Sequence, residues 1–364
     1  MSDAAIKKPG GWRRALRWLK RILLGLLAFL MIIVIIGTIY EALGRRNAQA
    51  NYPPPGKLVD VGGRKMHIDC RGTGSPTVVF ESGLGTGGTT DWTLVHDQIA
   101  RFTRTCAYDR AGIMWSDPKD APQRASAVAD DLHALLKRAG VNDPLVLVGH
   151  SIGGPYTRTY VGKYGDQVAG LVMVDPSHPD QVARLGKVSG INAHPNRAST
   201  IMHGAKALAW TGVVRFLITR SEGPKLRTAA ETKKLGDGLA KAAAYGSTSI
   251  RGAASELDGF DQTMADARAV HSFGNRPLIV LTAMAPMKPE QLEGLGLKAE
   301  QGERFKQEWK NLHTEQAAFS TRGRQQIVPD ATHYIQVDRP EVVIAAVREV
   351  VDTVRADAQL AARK

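Results

Sequence analysis

Cysteine is nearly absent from this chain, with two in 364 residues, and that excludes a disulfide-dense mini-domain. Neither glycine (37) nor proline (18) reaches collagen-like levels. There is no internal repeat and no low-complexity tract. Charge is missing altogether from Ile22 to Tyr40. With 43% hydrophobic and 23% charged residues, the composition is that of a folded protein and excludes general disorder. The length suits one large domain or two average ones. The net charge of +13 is concentrated: Lys7, Lys8, Arg13, Arg14, Arg17, Lys20 and Arg21 against Asp3 leave +6 in the first 21 residues. A nucleic-acid binder wants its basic stripe on the folded part, so no nucleic-acid partner is expected.

The basic tail leads into ILLGLLAFLMIIVIIGTIY, residues 22–40, which is apolar all round. As a helix it would be about 28 Å long, close to the hydrocarbon thickness of a bilayer. A membrane-spanning signal anchor is expected here. The excess of cations before the run predicts a cytoplasmic N-terminus and a domain on the outer, periplasmic or extracellular side. A cleaved signal peptide is the rival, since Ala48-Gln49-Ala50 offers a small-x-small site. That site lies well beyond the run, and the run is long for a signal peptide. Residues 41–55, ending in Asn51-Tyr-Pro-Pro-Pro55, read as a stiff linker.

Beyond the linker, short β-branched runs alternate with helix-length amphipathic segments. Strands are expected at Lys65–Cys70, Thr77–Glu81, Thr105–Tyr108, Leu145–Val148, Gly170–Val174, Leu278–Leu281 and Gln325–Val328. Helices are expected at Ala125–Ala139, Pro155–Tyr164 and Glu341–Val354. The alternation makes this an α/β protein with a mostly parallel sheet. It lapses over residues 178–275, where helical patterns at Ala229–Ala244 and Ala253–Val270 predict a helical insertion. The core would then comprise residues 56–177 and 276–358.

Gly149-His150-Ser151-Ile152-Gly153-Gly154 falls between an apolar strand and a helix. A sharp strand-to-helix turn strains the Ser backbone and demands small neighbours two positions away, which Gly149 and Gly153 provide. The turn exposes the Ser151 hydroxyl and aims the Ile152 amide at a developing oxyanion. A Ser nucleophile needs a base in reach, and His333 follows the last expected strand. His150 should point away on the turn. His178, His194, His203, His271 and His313 fall in the insertion or on helices, where a solvated or substrate-facing side chain is expected. For the acid that orients the base, Thr282–Met287 offers no carboxylate, but Asp175 ends the strand before the insertion; a structural cap is its other reading. Asp330 and Asp338 are too local to His333 to brace it. A second oxyanion donor is expected at the Leu84 amide in Ser82-Gly83-Leu84-Gly85. The same loop matches a dinucleotide fingerprint, Gly83-Leu-Gly85-Thr-Gly-Gly88 with Asp109 further on. A nucleotide-binding reading would leave Ser151, Asp175 and His333 unexplained.

Ser151, Asp175 and His333, in that order, resemble the α/β-hydrolase superfamily over essentially residues 56–358. The run Ala107-Tyr-Asp-Arg-Ala-Gly-Ile-Met-Trp-Ser-Asp117 is similar to that family's D-R-x-G-x-G-x-S-D signature, with Met114 where a second Gly is usual. Asp175, 24 residues past Ser151, matches the acid position of branches such as the haloalkane dehalogenases. Those enzymes and the epoxide hydrolases use an Asp nucleophile, so Ser151 argues against both activities. The resemblance implies an eight-stranded sheet of order 1-2-4-3-5-6-7-8 with a helical cap, no organic cofactor and no metal. In that order the second and fourth strands are neighbours, which implies a Cys70–Cys106 disulfide. The implied activity is a serine hydrolase acting on a small-molecule acyl substrate, most plainly a carboxylic ester. An acyltransferase, an amidase, or a non-catalytic binding or signalling protein on the same fold are the alternatives. Within the cap, Trp210, Phe216, Leu217, Phe260 and Met264 read as packing on the core or as an acyl pocket. Arg184, Lys187, Arg215, Lys225 and Arg227 read as a solvated face.

Overall fold

Residues Gly11–Asn51 form one unbroken helix, α1, in the computed structural model, which describes residues 11–220 and 228–363. Lys7, Lys8, Lys225 and Arg227 lie outside the described residues. No proline interrupts α1 until Pro53, which stops it. Its large apolar side chains between Ile22 and Tyr40 are exposed, so the helix is long and apolar enough to cross a membrane. The helix does not stop at the expected boundary. Residues 41–50, read as linker, are helical because Glu41 and Ala48 are buried against the rest of the molecule.

Eight strands follow: β1 (Lys57–Asp60), β2 (Lys65–Arg71), β3 (Thr77–Glu81), β4 (Thr105–Tyr108), β5 (Leu145–His150), β6 (Val168–Val174), β7 (Leu278–Ala283) and β8 (Gly323–Val328). Their spatial order is β1-β2-β4-β3-β5-β6-β7-β8; β1 and β4 pair antiparallel with β2, and the remaining pairs are parallel. This is the α/β-hydrolase fold. β1 escaped the sequence reading because four residues, exposed but for Val59, carry almost no alternation. Cys70 lies directly opposite Cys106 in the β2–β4 ladder, and the two form a disulfide with Cα atoms 4.0 Å apart.

The helices are α2 (His96–Ala100), α3 (Ala125–Arg138), α4 (Gly153–Tyr164), α5 (Gln181–Ser189), α6 (Asn196–Leu208), α7 (Val213–Ile218), α8 (Ala229–Asp258), α9 (Phe260–Arg268), α10 (Pro289–Leu295), α11 (Ala299–Ala317), α12 (Ile335–Asp338) and α13 (Pro340–Ala362). Two apolar clusters cover the sheet. One joins Leu132 and Leu135 of α3 and Tyr160 of α4 to Met66, Val79 and Leu147. The other joins Ile99 of α2 and Val343, Val347 and Val350 of α13 to Val78, Val146 and Val172.

Between β6 and β7 the described residues form α5 to α9, the helical insertion the lapse in alternation predicted. Its internal division differs from expectation. The helix begun at Ala229 does not end near Ala244 but continues through Asp258, because Tyr245, Ser249 and Ile250 are buried and burial outweighs the weak helix preference of Gly-Ser-Thr-Ser. The break falls at Gly259, where a side chain would meet the Gln123 carbonyl oxygen at 2.4 Å. Phe260 and Met264 pack on the core beside Ile152 and Tyr156. Trp210, Phe216 and Leu217 do not: they are exposed, and none of them lines the cavity that adjoins Asp175 and His333. Arg215, read as part of a solvated face, is buried against Glu41.

Candidate active site

The turn after β5 carries the strain its glycines foretold. Ser151 has φ 53°, a left-handed backbone that costs a side-chain-bearing residue energy and persists only where its surroundings enforce it. The enforcement is visible. The Ser151 N–H donates to the Val174 carbonyl, and the Ser151 carbonyl accepts from Gly154 and Ser177. A side chain at Gly149 would meet the Gly153 carbonyl oxygen at 2.6 Å, and one at Gly153 the Glu81 carbonyl oxygen at 2.4 Å. Only glycine lets helix α4 approach the sheet this closely, which explains the spacing around Ser151.

Asp175 continues directly from β6 and also has a left-handed backbone, φ 43°. Its carboxylate is buried and fully engaged. Oδ2 accepts from His333 Nδ1 at 2.6 Å, and Oδ1 accepts from the Ala283 N–H at 2.8 Å and Trp309 Nε1 at 3.1 Å. Burial alone would raise its pKa, but the hydrogen bond and charge of His333, with His313 and the Ala283 amide, outweigh it and hold the carboxyl below the ordinary carboxylate range. The bond to Asp175 keeps a proton on Nδ1, so that in the neutral form of the imidazole Nε2 is the nitrogen that accepts. The structure thus brings Asp175 and His333 together across 158 residues of sequence. Asp330 and Asp338 are occupied elsewhere, with Arg339 and with Thr332 respectively.

His150, expected to point away on the turn, packs its ring 4.7 Å, centre to centre, from that of His333. Its Nε2 donates to the His333 carbonyl at 2.9 Å and so holds the loop that carries His333. Burial, with the nearby His333, pushes its pKa down to about 3, so it stays a neutral donor. His313, expected on a solvated or substrate-facing helix, is instead buried behind the acid: Nε2 donates to the Pro176 carbonyl and Nδ1 accepts from Thr282 Oγ1. Trp309 and His313 both come from α11, between β7 and β8. No motif marks them; a Trp and a His four apart on one helix face were the only available signal.

The expected oxyanion donors lie on two sides of the elbow. Among the described residues, the Leu84 and Ile152 amides donate to no protein acceptor. Their side chains share one apolar cluster, which keeps the loop after β3 and the turn at Ser151 together. Behind the loop lies Arg110, buried, donating to Glu81, to the Ser82 and Gly83 carbonyls and, through two nitrogens, to Glu256 of α8. Burial pushes both Glu81 and Glu256 upward, against the pull of that guanidinium. The nucleotide-like features dissolve: Asp109 spends one oxygen on the Thr89 amide and the other on His67, leaving none for a ribose. Met114, where glycine is usual, sits at φ 46° and is tied to α8 by its N–H to Ser249. A cavity of about 360 Å³ adjoins Asp175 and His333, walled by Met287, Leu295, Phe305 and Trp309 from the segment between β7 and β8.

A strained serine at a strand-to-helix elbow, with an Asp–His pair at the same end of the sheet, defines an α/β hydrolase. The chain belongs to the alpha/beta hydrolase family, whose sequence model matches residues 78–346. Among curated proteins it is similar to the uncharacterized protein YqjL of Bacillus subtilis, 26% identical over 300 residues, covering 81% of this chain and 91% of that one. It is also similar to the 2-(acetamidomethylene)succinate hydrolase of Mesorhizobium japonicum, 27% identical over 204 residues, covering 55% of this chain and 71% of that one. A solved esterase from Thermogutta terrifontis shares the fold with a TM-score of 0.52 and 20% identity, over 82% of this chain and 98% of that one.

Proposed function

We propose that the protein is a membrane-anchored serine hydrolase that cleaves carboxylic esters, with Ser151 as nucleophile, His333 as base and Asp175 as the orienting acid. The observation that carries the reading is the hydrogen bond from His333 to the buried Asp175 at the end of the sheet that bears the strained Ser151. In the first half-reaction His333 Nε2 takes the Ser151 Oγ proton as Oγ attacks the acyl carbon. The carbonyl oxygen gathers negative charge and accepts from the Ile152 and Leu84 amides. Collapse expels the alkoxide, which leaves with the proton held on Nε2. In the second half-reaction water gives a proton to Nε2 and attacks the acyl-enzyme; the acid departs and Ser151 regains its proton. Asp175 keeps Nδ1–H fixed throughout and stabilises the imidazolium. The mostly apolar-walled cavity beside His333 adjoins Asp175 but is not lined by Ser151, Leu84 or Ile152. The exposed apolar stretch of α1 supports an anchor, and the cations before it an outward-facing domain.

A fluorophosphonate probe should label the full-length protein on Ser151, and Ser151→Ala should abolish labelling. Equal labelling of the variant would overturn the assignment of the nucleophile. Turnover across short-chain p-nitrophenyl esters supports hydrolysis, whereas binding without turnover would favour a non-catalytic protein.

A further inference from the structure

The cap segment from α6 to α7 is unusual for a surface. Ile201, Leu208, Trp210, Val213, Phe216 and Leu217 are all between 40% and 65% exposed. Isolated exposed apolar side chains are ordinary, but six within 17 residues of one helical hairpin call for a covering. The hairpin carries no acidic residue from Asn196 to Arg220. Its exposed cations include Lys206 and Arg220, the latter with its guanidinium 4.0 Å from the centre of the Phe216 ring.

Helix α1 says what covers it. At Gly37 the helix backbone touches the turn between α6 and α7: a Cβ there would lie 2.0 Å from the Thr211 carbonyl oxygen, and one at Gly212 would lie 2.3 Å from the Gly37 oxygen. The contact then continues along one helix face. Glu41 accepts from Arg215 and Ser247, Gly44 lies under the Arg215 side chain, and Ala48 is buried near Ile113, Met114 and Tyr245. The spacing 37, 41, 44, 48 is that of a single stripe, so the cap is fixed to α1 rather than hung from it. Gly37 belongs to the uncharged stretch and lies three residues, about 4.5 Å, before Tyr40 at its end. Whatever depth Tyr40 occupies, the α6–α7 turn is held at the same level.

We propose that the α6–α7 hairpin is a second membrane contact, seated in the outer headgroup–acyl boundary alongside α1, with a lipid bilayer as its partner. The proposal rests on α1 being a membrane span. With residues 22–40 filling the hydrocarbon, Trp210 sits at interface depth, where its amphipathic ring is favoured. The neighbouring apolar side chains enter the acyl boundary, and Lys206 and Arg220 meet anionic headgroups.

The test uses full-length protein in vesicles of phosphatidylcholine and phosphatidylglycerol. An environment-sensitive NBD probe is placed on Leu217→Cys, on Phe29→Cys in α1, and on Glu349→Cys on α13. The native cysteines are bonded to each other and take no label. Lipid spin-labelled near the headgroup end of the acyl chain should quench the Leu217 probe, and lipid spin-labelled near the chain terminus the Phe29 probe, each several-fold more than either quenches the Glu349 probe. Quenching at Phe29 with Leu217 no different from Glu349 would overturn the hairpin contact and leave the span standing. An unquenched probe at Phe29 would remove the span and the proposal with it.

Discussion

Asp175 illustrates how much one buried carboxylate is asked to hold. Its two oxygens accept three hydrogen bonds from three elements, and removing its charge changes only one of them in kind. In Asp175→Asn an amide nitrogen facing His333 would accept no proton from Nδ1, and the imidazole would be left in the other tautomer. Turnover should fall on the order of 10³–10⁴ while the fold persists. Near-parental turnover of this variant would move the orienting role to another residue. The depressed pKa adds a sign. Stability contributed by an ionised Asp175 is present above its unfolded pKa and is lost as pH falls through its lower folded one. Its pairing with His333 was legible because strand ends and the order Ser, Asp, His are sequence features. Trp309 and His150 were not legible as supports, because their partners are set by where α11 and the His333 loop come to rest.

At the scale of elements, Arg110 is the joint between strand, loop and cap. It follows β4, fastens the carbonyls flanking the loop that presents the Leu84 amide, and reaches Glu256 in α8. Arg110→Met would leave two buried carboxylates facing each other without a cation. The expected cost is about 3–5 kcal/mol in denaturant unfolding of the detergent-solubilised protein, with kcat falling more than KM rises as the loop loosens. A stability change within experimental error would show that the two carboxyls are held neutral and do not need the cation. Arg110→Lys should not rescue the variant, since an ammonium cannot reproduce five directed hydrogen bonds. The same helix α8 shows where periodicity misleads. Its middle turns are built from poor helix formers, and their burial against neighbouring elements, not their propensity, keeps the helix whole.

For the whole molecule, the disulfide and α1 join segments that would otherwise move independently. Cys70 and Cys106 are 36 residues apart, and closing that loop should stabilise the fold by about 3–4 kcal/mol in the chain-entropy account. Alkylation without reductant followed by mass spectrometry of protein isolated from its native host should find neither thiol modified. Two alkylated thiols would contradict the bond and also the proposed outward orientation, because only an oxidising compartment preserves it.

The strand–helix alternation, the glycines around Ser151 and the apolar stretch of 22–40 are all local patterns, whereas the Cys70–Cys106 pairing followed from the family resemblance. A chain's spacing and composition determine such patterns outright, since each reflects a backbone or side-chain preference acting over a few residues. Which distant groups meet is different in kind. That Glu41 finds Arg215, that Trp309 braces Asp175, and that α1 runs past its apolar stretch to lie along the cap depend on packing between segments up to 174 residues apart. No spacing rule encodes those distances, because burial and hydrogen-bond satisfaction are properties of the assembled interior, and only the tertiary structure decided them.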